Sequence, residues 1–364
     1  MRHLLLLLCI LALFATPAHA EPAPASTPAS APATPGGDAI PMRLAAIHKG
    51  DVIYVQALTR LTRAIEESTG KQIRPELLAN GKKGSEETAL QEQFQGNLEG
   101  GIYSTLTLAR QVPAFRTLAT PLLFTRPEQL RAFIGSPLDL ALRETAKSKN
   151  LLVLGYGSYG FYGILNFRPS GGTPNLNELT TRVPNDPWML ELHQAFGLRP
   201  TTLPAADLSD AITSARIQGV VATPELLNRT ALANTNAAAF HQTRHLHGWM
   251  IFVVNLNWFN GQTPELQQAI QKAADTLLPQ SVDQAMAQEQ KILNKWSTEH
   301  HFAILPLTSK ELATQPVKAL VMKNIKEMEP LLNQPGAITQ LWNQNQLPPT
   351  GTPKQPATKP RTTP

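Results

Sequence analysis

Three glycines, Gly155, Gly157 and Gly160, follow an apolar run and have the spacing of a dinucleotide-binding loop. That loop needs a helix directly after it, because the N-terminus of the helix holds the pyrophosphate. Residues 161–166 follow instead, and their composition is typical of a strand. We therefore expect no nucleotide site, and we interpret the glycines as a flexible crossover between two strands.

Three histidines lie close together in the sequence, and histidine is a common metal ligand. They are His241, His245 and His247. Only His241 and His245 could share a helix face, and no carboxylate lies within a few positions to complete a ligand set. We interpret them as neutral surface or loop histidines and expect no metal. The chain also lacks a Gly-x-Ser-x-Gly elbow and any carboxylate pair spaced for acid and base roles. We therefore expect a protein that is not an enzyme and needs no cofactor.

Arg182 is a candidate of a different kind from the glycines and histidines. It lies at the end of a strand-like run, residues 178–183. A guanidinium keeps its charge and can hold a carboxylate with two parallel hydrogen bonds. The residue type alone leaves an alternative open, in which Arg182 forms a salt bridge on the surface or between lobes.

Alternating strands and helices must position these residues. Apolar residues three or four apart predict a helix that ends near Glu67, between strand-like runs at 42–47 and 72–78. Further elements are predicted at residues 86–97 (helix), 102–105, 151–154 and 249–254 (strands) and about 264–296 (long helix). This order indicates an α/β fold with two doubly wound lobes around a cleft. We expect crossovers near Tyr162 and near Val254, with the long helix bracing both lobes.

The N-terminus resembles a secretory leader. Arg2 and His3 precede an apolar run at residues 4–14, and Ala18-His-Ala20 is a small-x-small cleavage site. We expect cleavage near Ala20 and a mature protein in the periplasm. The only cysteine, Cys9, lies in this leader, so we expect neither disulfides nor a cysteine nucleophile.

The two ends of the chain differ in composition from the body. Residues 21–41 are rich in Pro, Ala, Ser and Thr, and the end of the chain is rich in Pro and Thr, so we expect both to be disordered. The formal net charge is +5, but several of these charges lie in the leader and the tail. The nearly neutral body argues against nucleic-acid binding. The predicted organisation is a leader (1–20), a linker (21–41), a first lobe (42–162, with about 253–262 returning to it), a second lobe (163–252), a brace (263–330) and a largely disordered tail (331–364).

The body resembles the DctP-type solute-binding proteins of TRAP (tripartite ATP-independent periplasmic) transporters, as a divergent member. The resemblance covers nearly all of residues 42–310 and depends on the order and spacing of several short blocks. These are Glu66-Glu-Ser-Thr-Gly-Lys71, residues 92–101, Pro121-Leu-Leu-Phe124, the block from Leu176 to Arg182-Val-Pro-Asn185, residues 247–255, Trp258 and Ala273-Ala274.

The resemblance implies a two-lobed, type II-like periplasmic binding protein that closes on a small organic acid and delivers it to a membrane permease. Arg182 falls on the signature arginine of the family, which binds the ligand carboxylate, and the resemblance therefore favours this role over a salt bridge. His48 falls in the loop that reaches the ligand, and Ser104 on a position that lines the cleft. Asp186 and Trp188 follow the arginine at the lobe interface.

The sequence departs from the family pattern at two positions that bear on the ligand. Tyr162 stands where many acid-binding members have a second arginine, and Leu226 stands where they have an asparagine. One cation suffices for a monocarboxylate, so a dicarboxylate is disfavoured. Tyr162 favours a stacked or partly apolar ligand, as in a branch of the family that pairs with a tetratricopeptide-repeat partner.

Two alternatives to acid capture remain. One is a binding protein of the same fold for an apolar or uncharged ligand, in which Tyr162, Tyr103, Trp188 and Trp249 dominate the site and Arg182 is structural. The other is an interaction protein that kept the fold and lost the ligand. A cleft filled by its own side chains is expected for the second alternative.

Overall fold

The computed structural model describes residues 39–168, 176–204, 207–230, 232, 237–300 and 303–346. The predicted leader, the linker up to residue 38 and the tail from residue 347 lie outside the described residues. None of the helices within the described ranges is both long and apolar enough to cross a membrane.

Within the described residues, eleven strands form two sheets. In chain order they are β1 (Ile40–Ala45), β2 (Ile73–Leu78), β3 (Gly100–Ser104), β4 (Leu151–Phe161), β5 (Gly163–Asn166), β6 (Thr180–Val183), β7 (Arg199–Thr202), β8 (Gly219–Ala222), β9 (Ala239–Gln242), β10 (His247–Asn255) and β11 (Ala303–Pro306). The first sheet has the order β2-β1-β3-β10-β4, and the second has the order β11-β9-β5-β8-β6-β7.

Helices connect and cover the strands. In chain order they are α1 (Ile53–Ser68), α2 (Glu86–Phe94), α3 (Thr105–Gln111), α4 (Pro127–Phe133), α5 (Pro137–Lys147), α6 (Pro187–Ala195), α7 (Leu208–Thr213), α8 (Pro224–Arg229), α9 (Leu256–Asn260), α10 (Pro264–Lys295), α11 (Ser309–Leu312), α12 (Gln315–Met328) and α13 (Ala337–Gln346). Short 3₁₀ segments lie at Pro113–Ala119 and Glu329–Leu331.

Each sheet is the centre of one lobe. In the first lobe, β1 runs parallel to β2 and β3, while β10 runs antiparallel to β3 and β4. In the second lobe, β6 runs parallel to β7 and β8, and β5 runs antiparallel to β8 and β9. The two-lobed α/β architecture predicted from the sequence is therefore confirmed.

Two short segments carry the chain directly from a strand of one sheet to a strand of the other. Tyr162 joins β4 of the first sheet to β5 of the second, and residues 243–246 join β9 of the second sheet to β10 of the first. The second crossover therefore precedes β10, whereas the sequence analysis placed it near Val254. The reason is that β10 pairs along its whole length with β3 and β4, so all of this strand belongs to the first lobe.

The long helix α10 packs against both lobes. Its N-terminal half buries Ile270, Ala274 and Leu278 in the core formed by α1 and the first sheet. Its C-terminal half buries Ile292 and Leu293 in the core of the second lobe. A helix of 32 residues is long enough to reach both cores, and it therefore braces the two lobes as expected.

The glycine-rich segment is part of a strand and not a flexible crossover. Gly155 and Gly157 lie within β4, where a Cβ atom would approach Leu278 Cδ1 of α10 to 2.6 Å and Phe252 Cε2 of β10 to 2.9 Å. Glycine is required at these two positions because neighbouring elements pack directly against the backbone.

The C-terminal region is ordered further than predicted. The sequence analysis expected residues 331–364 to be mostly disordered, but α13 lies within this range and buries Ile338 and Leu341. Asn345 of α13 also donates a hydrogen bond to the Leu123 carbonyl at 2.7 Å. At the other end, β1 begins at Ile40, inside the predicted linker, and pairs with β2 from that residue.

Candidate ligand-binding site

A cavity of about 260 Å³ lies between the two lobes, next to both crossovers. The ends of β1, β3, β6 and β8 open toward it, as expected for an α/β protein, in which ligands bind outside the carboxyl ends of the strands. Residues from both lobes line it. They are Ile47, His48, Val52, Tyr54, Glu86, Ser104, Thr105, Leu106, Ala119, Tyr159, Tyr162, Arg182, Pro184, Met189, Glu225, Leu226, Arg229, Leu246, His247, Gly248, Trp249 and Met250. The cleft is not filled by the protein's own side chains.

Arg182 lies at the end of β6 and lines the cavity. Its Nε donates a hydrogen bond to the Leu203 carbonyl at 3.3 Å, and no carboxylate among the described residues forms an ion pair with it. Burial lowers the pKa of the Arg182 guanidinium, and the nearby Tyr162 hydroxyl acts in the opposite direction. A partly buried cation without an anionic partner is a site for an anionic ligand.

Two tyrosines lie beside this arginine at the first crossover. The hydroxyls of Tyr159 and Tyr162 are 2.7 Å apart, and the rings meet edge to face. Burial is the main cause that raises the pKa of both phenols, so they are neutral hydrogen-bonding groups. One hydroxyl donates to the other, and the accepting hydroxyl keeps its own proton for a further partner.

His48 lines the opposite side of the cavity, after β1. Its Nδ1 and the Tyr54 hydroxyl form a hydrogen bond, and the two rings meet edge to face. Burial, followed by the charge of Arg229, lowers the pKa of His48, so the imidazole is neutral at neutral pH. It adds no positive charge to the cavity.

Glu86, at the start of α2, brings a buried carboxyl to the cavity. Its Oε2 accepts hydrogen bonds from the Ser104 hydroxyl at 2.6 Å, the Ser104 amide at 3.1 Å and the Thr107 hydroxyl at 2.6 Å. Burial raises the pKa of Glu86, and these hydrogen bonds oppose the shift. Ser104 therefore lines the cavity, but its hydroxyl is already engaged.

Helix α8 adds a pair of charged residues, Glu225 and Arg229, to the cavity. Arg229 Nη2 donates to Asp51 of the first lobe at 2.8 Å, and Arg229 Nη1 lies 3.9 Å from Glu225. Burial raises the pKa of Glu225, and Arg229 opposes this shift. The sequence analysis did not find Glu86, Glu225 or Arg229, because only the packing of α2 and α8 brings them to the cavity.

Three predicted site residues lie outside the cavity lining. Tyr103 points into the core of the first lobe, where its hydroxyl donates to Gln93 at 2.9 Å. Asp186 caps α6 by accepting from the Trp188 amide at 2.9 Å, and the Trp188 indole donates to the Ala119 carbonyl at 2.9 Å. Asp186 and Trp188 thus lie at the lobe interface. Trp249, by contrast, lines the cavity from β10.

The histidine group is buried and not on the surface: His241 and His247 lie in strands, and His245 lies in the crossover segment between them. His241, His245 and His247 are 1–4% exposed, and burial lowers the pKa of His247 to about 3 and that of His241 to about 4. His247 Nε2 bonds Ser158 at 2.8 Å, and His245 Nε2 bonds His193 at 3.0 Å. Within the described parts of the chain, no group of three or more histidine, cysteine or carboxylate side chains is placed to hold a metal ion.

Residues 44–329 match the family described as bacterial extracellular solute-binding protein, family 7 (DctP). The chain belongs to this family, which confirms the resemblance to DctP-type proteins. Its members are binding proteins of transport systems and not enzymes.

Among sequence relatives, the 2,3-diketo-L-gulonate-binding periplasmic protein YiaO of Escherichia coli is 21% identical over 226 residues, which cover 60% of this chain and 66% of the relative. The chain thus spans just under two thirds of the length of this relative.

Solved TRAP periplasmic solute-binding proteins have the same fold. One from Ochrobactrum anthropi, with its C-terminus bound in its ligand-binding pocket, has a TM-score of 0.77 and 20% identity, covering 84% of this chain and 95% of that one. One from Haemophilus influenzae with bound L-gulonate has a TM-score of 0.73 and 19% identity, covering 84% and 100%.

Proposed function

We propose that the protein captures a small organic acid between its lobes, with the carboxylate held by Arg182. The observation that supports this proposal most is the guanidinium of Arg182 at a cavity between the lobes, without a carboxylate partner among the described residues. Tyr162, His48, Ser104 and Trp249 would line the ligand, each from the position given above. The solved structure with bound L-gulonate and the relative named as a 2,3-diketo-L-gulonate-binding protein are consistent with an acidic ligand.

The ligand would act as a bridge between the lobes. Arg182 belongs to the second lobe, whereas His48, Glu86 and Ser104 belong to the first, so only the closed form presents all of them to one molecule. A ligand that binds the closed form better shifts the population toward it. The crossovers at Tyr162 and at residues 243–246 would act as the hinge.

Contacts at the rim of the cleft would support closure. Arg229 of α8 reaches Asp51 of the first lobe, and Arg110 of α3 donates to the Asn185 carbonyl of the second lobe at 3.2 Å. Exposed ion pairs contribute little on their own. They would therefore set the orientation of the closed lobes, while the ligand supplies most of the free energy of closure.

Delivery to a membrane permease of the TRAP type follows from family membership and belongs to the same proposal. The protein would reach the periplasm through a leader cleaved near Ala20, as the pattern at residues 1–20 suggests. A tetratricopeptide-repeat partner is a further part of this proposal, and a pull-down with purified periplasmic components would test it.

Replacing Arg182 by glutamine tests the proposed role of this residue. The acid released by denaturing the purified protein is identified by mass spectrometry and then used in isothermal titration calorimetry. We expect Arg182→Gln to weaken its binding by roughly ten- to a hundredfold, because hydrogen bonds between charged groups contribute about 1.5–3 kcal/mol.

The matched control is Arg199→Gln, since Arg199 is exposed, pairs with Glu178 and lies outside the cavity. We expect this variant to bind like the wild type. Equal affinities of wild type and Arg182→Gln would contradict the proposal and favour the alternative with an uncharged ligand.

A further inference from the structure

We propose that the cavity selects monocarboxylates with an apolar body and few hydroxyls, in preference to polyhydroxylated sugar acids. This inference rests on the proposed function, because it takes Arg182 as the site of the carboxylate. It would separate this chain from the relatives that bind gulonate and its diketo derivative.

The polar side chains of the lining mostly bond one another. The His48 imidazole uses Tyr54, the Tyr159 hydroxyl uses Tyr162 at 2.7 Å, and Arg229 uses Asp51 at 2.8 Å. A ligand hydroxyl that met one of these bonded atoms would have to replace an existing hydrogen bond. Replacement brings no net gain in the number of hydrogen bonds, so these pairs do not favour hydroxylated ligands.

Four unpartnered polar atoms of the lining are closed off from the ligand. They are Thr105 Oγ1, Glu225 Oε2, His247 Nδ1 and Trp249 Nε1, and each is buried with almost no accessible surface. The rings of Phe124, Phe133 and Tyr156 surround the Trp249 indole. A ligand in the cavity cannot contact these four atoms unless the surrounding side chains rearrange.

Few polar groups remain for a ligand. The Arg182 guanidinium bonds the protein only through Nε, and it takes the carboxylate. Oε1 of Glu86 and Nε2 of His48 have no hydrogen bond among the described residues, and one hydroxyl of the Tyr159–Tyr162 pair keeps its proton for a further partner. These three groups can each bond one ligand hydroxyl, which is fewer hydroxyls than a sugar acid such as gulonate carries.

The rest of the lining is apolar. Leu106, Met189, Leu226 and Leu246 come from four different elements and face the same space. A ligand hydroxyl placed against them loses its water without gaining a partner, which weakens binding by roughly tenfold for each hydroxyl. The volume of about 260 Å³ is below the 300–1,000 Å³ typical of sites for drug-sized ligands, so the apolar body must be small.

Calorimetry with four probes tests this selectivity on the full chain stripped of its ligand. The probes are phenylacetate, mandelate (the same body with one hydroxyl), L-gulonate and the neutral phenylacetamide. We expect phenylacetate and mandelate to bind within roughly tenfold of each other and both to bind at least about a hundredfold more tightly than L-gulonate. Phenylacetamide should bind at least about tenfold more weakly than phenylacetate.

The outcomes separate this inference from the proposed function. Binding of L-gulonate as tightly as phenylacetate overturns the selectivity and leaves acid capture at Arg182 standing. Equal binding of phenylacetamide and phenylacetate overturns acid capture, and the selectivity falls with it. If neither aromatic acid binds at millimolar concentration, the selectivity is overturned, and acid capture is then judged by the Arg182→Gln comparison with the released ligand.

Discussion

At the scale of single residues, adjacent positions on one strand have different environments. Ser104 lines the cavity and Tyr103 points into the core, because successive side chains of a strand point to opposite faces. The sequence shows this alternation but not which face meets the cavity. In the same way, the Arg182-Val-Pro-Asn185 block identifies the arginine. That no carboxylate of the described residues pairs with it depends on tertiary packing that the sequence does not reveal.

The histidines show why residue type misled the sequence analysis. The polar run from His241 to His247 has the composition of a loop. The two ends of this run nevertheless lie in the paired strands β9 and β10. The His247 ring packs against the Trp249 ring, with 4.3 Å between the ring centroids. Partners distant in sequence, such as Ser158 and His193, make burial of these side chains possible.

The buried histidines predict a loss of stability in mild acid. Burial lowers the pKa of His247 to about 3, whereas an unfolded histidine titrates near 6.5, so the stabilising contribution is present above pH 6.5 and is lost progressively toward pH 3. Between pH 7 and pH 5 this histidine should cost about 2 kcal/mol of unfolding free energy. Buried carboxyls with raised pKa values, Glu86 among them, act in the opposite direction.

Urea unfolding of wild type and His247→Gln at pH 7 and pH 5 isolates the contribution of this histidine. The wild type should lose about 2 kcal/mol more than the variant over this interval. If the two proteins lose the same free energy, His247 is not buried in its neutral form.

At the scale of elements, the strands and helices with regular periodicity could be predicted and the irregular ones could not. α1 buries Val55, Leu58 and Ile65 at helical spacing, and the sequence placed it to within a few residues. β4 was predicted too short because its glycines look like a loop. The glycines are present because α10 packs closely against β4. This packing is a property of the whole fold and cannot be inferred from the segment itself.

The contact between β4 and α10 lies next to the proposed hinge. Glu289 of α10 accepts from the Phe161 amide at 2.9 Å and pairs with Arg244 at 3.4 Å, so it contacts both crossover segments. Gly160 adjoins this contact with a φ of +101°, and a Cβ there would lie 2.9 Å from Glu289 Oε2. Only glycine fits both the conformation and the space.

Gly160→Ala should therefore lower the unfolding free energy by about 2 kcal/mol, because it combines left-handed strain with a close contact to Glu289. Gly50→Ala is the matched control, since nothing lies within 4 Å of a Cβ at Gly50, and it should change stability by less than about 0.5 kcal/mol. Urea unfolding measures both. Equal stabilities of the two variants would show that the crossover tolerates a side chain at Gly160.

At the scale of the whole molecule, two α/β lobes bring carboxyl ends of their strands to one cavity, and α10 spans both. The alternation of strands and helices was enough to predict this class of fold, and membership of family 7 agrees with it. The position of the second crossover could not be predicted in the same way, because the sequence of β10 is that of a strong strand whichever lobe it belongs to. Long-range contacts pair β10 with β3 and β4, and the sequence of β10 alone does not specify these partners.

The central claim is that Arg182 meets the carboxylate of the ligand, and a thermodynamic cycle tests it most directly. The acid released from the purified protein and its primary amide are each titrated into wild type and Arg182→Gln by calorimetry. If the claim is correct, replacing the acid by the amide weakens binding to the wild type by roughly ten- to a hundredfold and has little effect in the variant. An equal loss in both proteins would show that the carboxylate and Arg182 do not interact, and would contradict the claim.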